Sequence, residues 1–185
     1  ILTCAHVIEG MQEIHIASFE GRYRAEPVVV DRNNDFALLR VLECPGLKPV
    51  VFKDGAGCDL GAPVVALGFP LAGLAGGGVH VTQGGVSALF GLHNDSSLLQ
   101  FTAPIQPGSS GSPLFDSSGA VVAMVTSTCP DTQNMNFAVK GALVLSFLEA
   151  CRIDADKTPI ARALNTAELA REAQPALWRI EARNL

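Results

Sequence analysis

Gln106-Pro107-Gly108-Ser109-Ser110-Gly111-Ser112-Pro113-Leu114-Phe115 lies between two apolar runs, residues 98–103 and 120–126, that read as strands. Gly108 and Gly111 admit backbone angles closed to other residues, so the chain can turn sharply here and aim successive N–H groups into one pocket. An oxyanion hole needs that geometry. Taken alone, a Pro, Gly and Ser cluster between strands is a turn and nothing more. Ser110 is read as a catalytic nucleophile, with the amides of Gly108 and Ser110 on the oxyanion, only if the rest of the chain supplies a base and an orienting acid.

Two other stretches supply them. Leu2-Thr3-Cys4-Ala5-His6-Val7 places a histidine at the end of an apolar run, in a small-residue context that His15, His80 and His93 lack. Asp31-Arg32-Asn33-Asn34-Asp35 is a polar turn that ends on an aspartate and enters the apolar run Phe36-Ala37-Leu38-Leu39. A carboxylate there can hold one imidazole nitrogen and leave the other free to take a serine proton. The order His6, Asp35, Ser110 differs from the Ser, acid, His order of an α/β-hydrolase, and Ser112 stands where the second glycine of its elbow belongs.

The rest of the chain sets the scaffold. Strands are expected at 12–18, 22–30, 36–41, 49–52, 63–69, 80–89, 98–103, 120–126 and 135–139, with turn signals between them and a closing helix at 141–151. After Cys151 the composition turns charged and Ala-rich. The expectation for 152–185 is a helical tail or linker, with Asn165 or Thr166 capping a helix. The 185 residues are 48% hydrophobic and 17% charged, which suits one core-forming domain with a short extension. A net charge of −5 gives no footprint for nucleic acid, and no apolar run has the length of a membrane span. The five cysteines, Cys4, Cys44, Cys58, Cys129 and Cys151, form no C-x-x-C pair. That argues against a zinc site and a full disulfide framework, and favours a cytoplasmic or otherwise thiol-tolerant setting. The Gly-rich segment 71–78 lacks the Lys-[Ser/Thr] of a phosphate loop and reads as a surface loop.

Together the three motifs resemble those of the trypsin-like serine proteases of chymotrypsin fold, most closely the HtrA-type branch. Leu2–Val7 resembles the L-T-x-A-H-V histidine motif, Asp35–Leu39 the D-L-A-L-L motif, and Pro107–Leu114 the P-G-N-S-G-G-P-L motif. Weaker echoes lie at Leu67-Gly68-Phe69-Pro70, Thr82–Ser87 and Asn136–Val139, so the match covers about residues 1–148. The resemblance implies an all-β fold of two six-stranded antiparallel barrels, the first at about 1–52 and the second at about 60–140, followed by the helix. It implies Ser110 as nucleophile, His6 as general base and acid, Asp35 as orienting carboxylate, and an oxyanion turn of Gly108, Ser109 and Ser110. Thr126 falls where a hydroxyl supports the aspartate, Ser127 and Thr128 where a strand edge pairs with substrate, and Pro104 at the base of the primary specificity pocket. With no Asp at that base, cleavage after Lys or Arg is not expected, and small or medium apolar side chains are. No metal or cofactor is implied.

The departures shape further expectations. Ser112 replaces the second glycine after the nucleophile, and Ser109 replaces the aspartate that a cleaved N-terminus would pair with. Strands that precede the histidine motif in the family have no counterpart here, so the first barrel is expected to be incomplete, its missing strands supplied by another chain or segment. The expected partner is a protein or peptide substrate, with a downstream regulatory domain beyond the tail. The alternative reading is a protease-like binding or regulatory module, inactive or activated only in a larger assembly; an esterase on the same residues is a third.

Overall fold

The computed structural model describes residues 1–44, 46–54, 57–70, 78–128, 135–158 and 162–184. Two sheets divide the work. The first contains β1 (Leu2–Cys4), β2 (Glu13–Ser18), β3 (Gly21–Asp31) and β4 (Phe36–Val41), and a four-residue helix α1 (Ala5–Ile8) follows β1. The second contains β5 (Phe52–Lys53), β6 (Pro63–Gly68), β7 (His80–Ala88), β8 (Leu98–Phe101), β9 (Pro113–Phe115), β10 (Val121–Thr128) and β11 (Asn136–Lys140). Then come α2 (Gly141–Ala150), β12 (Lys157–Thr158), α3 (Thr166–Ala173) and β13 (Arg179–Arg183).

The second sheet closes on itself. The order β11-β8-β7-β6-β9-β10 returns to β11 through the β10–β11 pairing, which gives a six-stranded antiparallel barrel. Its interior is filled by the alternate apolar residues of these strands, Val64, Ala66, Leu99, Phe101, Leu114 and Val125 among them. β5 and β12 extend it in parallel from β10. The first sheet stays open as a curled half-barrel in the order β1-β4-β3-β2-β13. Pro27 sits inside its central strand β3 at a register shift between Pro27 and Val29, where no ladder N–H is needed. The fold is thus the chymotrypsin-like one expected from the resemblance, nearly all-β with α2 closing it. Helix α2 buries Gly141, Val144 and Leu148, one stripe at helical spacing.

The tail departs from expectation. A helix at 166–173 forms, capped by Asn165 and Glu168 in a reciprocal box (Glu168 N–H to Asn165 Oδ1 at 2.9 Å, Asn165 N–H to Glu168 Oε2 at 3.1 Å). The segment is nevertheless not a solvated linker. β13 pairs antiparallel with β2 over five residues, Arg179 to Arg183, and becomes the fifth strand of the first sheet. The reason is hydrophobic: Leu169, Leu177 and Trp178 are buried at 1%, 6% and 9% exposure. Trp178 packs edge-on to Tyr23 (centroids 5.8 Å apart) under the first sheet, while Leu169 and Leu177 join the core between the two sheets. Strands β9, β12 and β13 have no counterpart among the expected strands, and the expected strand at 49–52 shrinks to Phe52–Lys53. The Gly-rich segment 71–77 and Cys129 lie outside the described residues.

Trp178→Ala removes the largest apolar group of the tail and is expected to destabilise the protein by about 3–5 kcal/mol, read as a lower urea midpoint. A change under about 0.5 kcal/mol, the ordinary surface value, would mean that the tail is not held where the structure puts it.

Candidate active site

The site forms where the N-terminal end of β4, the short helix α1 and the C-terminal half of β10 meet. Asp35 ends the turn that Asp31 organises. The Asp31 carboxylate accepts from Asn33 N–H (3.0 Å), Asn34 N–H (3.2 Å) and the Asn34 side-chain amide (2.7 Å). These bonds, the Asn34 amide first, hold its carboxyl below the usual range. Asp35 itself takes a left-handed φ of 59°, which aspartate tolerates better than most residues. Its carbonyl then accepts from Ala5 N–H at 3.1 Å and ties the turn to the first residue of α1.

The Asp35 carboxylate collects three donors. Oδ1 accepts the His6 main-chain N–H at 2.9 Å; Oδ2 pairs with His6 Nδ1 at 2.7 Å and accepts the Thr126 hydroxyl at 3.1 Å. Held from both its backbone and its ring, His6 is fixed in orientation, with 47% of its side chain exposed. Thr126 reaches Asp35 because β10 is irregular at that residue. The register with β11 shifts between Val125↔Ala138 and Ser127↔Phe137 and leaves Thr126 in a bulge, which turns its side chain toward the first sheet.

Ser110 sits on the other side of Thr126. Its hydroxyl donates to the Thr126 carbonyl at 3.1 Å, so in this conformation its proton is directed there and not at His6. The loop before it is a type II turn: Ser109 N–H donates to Gln106 O at 3.0 Å, Pro107 takes the second position, and Gly108 takes the third at φ 96°. The expected oxyanion turn, Gly108 to Ser110, is thus present as a turn, and its three amides differ in their partners. The Ser109 amide is committed to closing the turn, and its side-chain hydroxyl accepts from Gln106 N–H at 3.3 Å. The amides of Gly108 and Ser110 donate to no described residue.

Gly111 joins the two halves. Its N–H donates to Val125 O at 2.8 Å, and a Cβ on it would lie 2.5 Å from Thr3 Oγ1 and 3.1 Å from Thr3 Cα. The serine loop of the closed barrel therefore rests directly on β1 of the open sheet, and only a residue without a side chain permits the approach. Sequence reading singled out Gly111 for its freedom to turn; its φ of 84° uses that freedom, and the packing against Thr3 is what the sequence does not show.

A cavity of about 680 Å³ lies between the sheets and includes His6, Gly108 and Ser110 in its wall, together with Met124, Leu148 and Trp178. Pro104 and Ser127 are exposed and are not part of that wall. Ser127 and Thr128 pair with Phe137 and Asn136 of β11, while β9 pairs with β10 only as far as Met124. The other edge of β10 at 127–128 is thus without a strand partner among the described residues. Cys4, fully buried one residue before α1, donates to Val125 O at 3.5 Å, and burial followed by the nearby Asp35 charge pushes its thiol well above the usual range.

Comparison with known proteins gives a consistent picture. The trypsin-like peptidase domain family matches residues 1–124. The uncharacterized protein y4bJ of Sinorhizobium fredii is 38% identical over 94% of this chain and 29% of its own length. A probable periplasmic serine endoprotease, DegP-like, of Halomonas elongata is 35% identical over 67% of this chain and 26% of its own. The crystal structure of a serine endoprotease from Yersinia pestis superposes with a TM-score of 0.70 at 30% identity, over 80% of this chain and 52% of that one. The chain thus spans less than a third of these curated relatives.

Gly111→Ala is expected to cost more than the roughly 1–3 kcal/mol of a strained backbone alone, because the new methyl meets Thr3. Gly61→Ala, at a similar φ of 81° but with open space around the Cβ position, is the control. Equal losses in thermal stability for the two would mean that the loop does not rest on β1.

Proposed function

This chain belongs to the trypsin-like peptidase domain family and has HtrA-type serine proteases among its relatives, and we propose that it is a serine endopeptidase that works through His6, Asp35 and Ser110. The observation that carries the reading is the Asp35 carboxylate, which binds the His6 ring on one side and, through Thr126, touches the strand that holds Ser110.

The chemistry follows from that geometry. Bonded to Asp35, Nδ1 of His6 carries the ring proton, so Nε2 is the lone pair that faces outward and serves as base. When a peptide carbonyl enters, the Ser110 hydroxyl leaves Thr126 O by rotation about its χ1 and gives its proton to Nε2 as Oγ attacks. The tetrahedral oxyanion is received by the amides of Gly108 and Ser110, which the type II turn leaves without internal partners. His6 then protonates the leaving amine, and water releases the acyl group from Ser110 by the reverse path. An extended substrate pairs with the free edge of β10 at Ser127 and Thr128, as a strand added to a sheet. In this reading the resemblance assigns Pro104 to the pocket for the residue before the scissile bond, and small or medium apolar side chains are favoured there.

One observation favours a second reading, a module active only in a larger assembly. The first sheet is open, and its edge strand β1 is three residues long. In this reading a strand from another segment or chain pairs with β1, and a domain beyond the tail regulates the site.

Fluorophosphonate labelling separates the two. The first reading expects the purified protein to label at Ser110, Ser110→Ala to abolish the label, and Asp35→Asn to slow peptide hydrolysis by up to about 10⁴-fold. A wild-type protein that stays unlabelled would overturn autonomous activity. A peptide library cleaved selectively after Arg or Lys would overturn the pocket assignment.

A further inference from the structure

Cys4 is a buried thiol near the site that the peptidase chemistry does not use. Its Sγ, a ring nitrogen of His6 and an Asp35 carboxylate oxygen all lie within 4.8 Å of one another, with Nδ1 the nitrogen on the carboxylate at 2.7 Å, although β1, α1 and the turn before β4 deliver them from two separate stretches of sequence. Thiolate, imidazole and carboxylate together are a donor set suited to zinc and softer than calcium or magnesium would take. The thiol donates to Val125 O at 3.5 Å, a weak bond that is easily given up when the sulfur turns. A path exists as well, since 29% of the Asp35 side chain and 47% of the His6 side chain are exposed.

We infer that Cys4, His6 and Asp35 form an inhibitory site for zinc, which enters between the imidazole and the carboxylate in place of the proton they share. With bonds of about 2.0–2.3 Å, tetrahedral ligands stand roughly 3.3–3.7 Å apart. His6 Nδ1 and Asp35 Oδ2, now at 2.7 Å, separate by under about 1 Å, and the sulfur moves in by a similar amount. One proton leaves to solvent, from the thiol, while the Nδ1 proton moves by way of solvent to Nε2 and the imidazole stays neutral. The charges of zinc, thiolate and carboxylate then cancel, and water or the Thr126 hydroxyl takes the fourth position.

Inhibition follows from the tautomer. With Nδ1 on the metal, the neutral imidazole carries its proton on Nε2, where the lone pair for Ser110 should be. This consequence rests on the proposed peptidase roles; the binding itself rests only on the three ligands. The sequence reading found no C-x-x-C spacing and expected no zinc, because the ligands converge only in the folded chain.

Cobalt(II) titration of the purified protein tests the site without reference to activity. The wild type is expected to show tetrahedral cobalt bands with a thiolate charge-transfer absorption, both removed by added zinc and both absent in Cys4→Ala and in Cys4→Ser. Zinc is also expected to slow fluorophosphonate labelling of the wild type at concentrations about 10–100-fold lower than for the Cys4 variants. A wild-type spectrum without the thiolate band, or a band that survives in both variants, would overturn the site. Zinc that binds through Cys4 yet leaves labelling unchanged would overturn its inhibitory role. A Cys4-dependent cobalt band in a wild type that never labels would uphold the metal site and sink the peptidase reading instead.

Discussion

The carboxylate of Asp35 is the point on which the molecule converges. One oxygen fixes the first turn of α1 through the His6 amide; the other holds the His6 ring and the Thr126 hydroxyl. Three elements far apart in sequence, the start of β4, the helix after β1 and the bulge of β10, are tied to one group. A carboxylate accepts four hydrogen bonds in a roughly planar arrangement, so each donor has a defined direction of approach. That is why the bulge at Thr126 matters. In a regular strand the register with β11 would continue unbroken, and the Thr126 side chain would face elsewhere.

This cluster is held by packing that also crosses from one sheet to the other. Cys4 and Phe36 from the open sheet share a core with Leu67, Met124 and Leu148 from the closed barrel and its helix, and the tail adds Leu169 and Leu177 to the same core. Gly111 against Thr3 sets the distance between the halves at the point nearest the serine. The tail is a strap across the seam: β12 lies beside β5 of one sheet, β13 beside β2 of the other. Ser110 on one side of the seam and His6 on the other stay in register only if the sheets do, and the strap and the glycine contact restrain that motion together.

Much of this was legible from residues. The serine loop, the histidine at the end of an apolar run and the aspartate before another are local patterns, and local patterns survive in a linear reading. The closing helix was visible because apolar residues recur at its period without a proline. β13 was not, because Arg179-Ile180-Glu181-Ala182-Arg183 alternates over only five residues and three of them are charged. The charges find a use in place: Arg22 and Arg179 both bind Glu181 and hold its carboxyl below the usual range, while Ile180 packs inward.

By itself the sequence determined which chemical groups exist and the order in which they occur: His6, Asp35, Ser110, and the glycines that let the serine loop turn. Side-chain chemistry and local backbone freedom are properties of single residues and short stretches. The tertiary structure alone decided which amide closes the turn and which two stay free, that Ser110 rests on Thr126 O, that the tail becomes a strand, and that Cys4 stands beside the His6–Asp35 pair. Each of these depends on distances between residues tens of positions apart, and such distances are set by sheet register and core packing, which no short window of sequence contains.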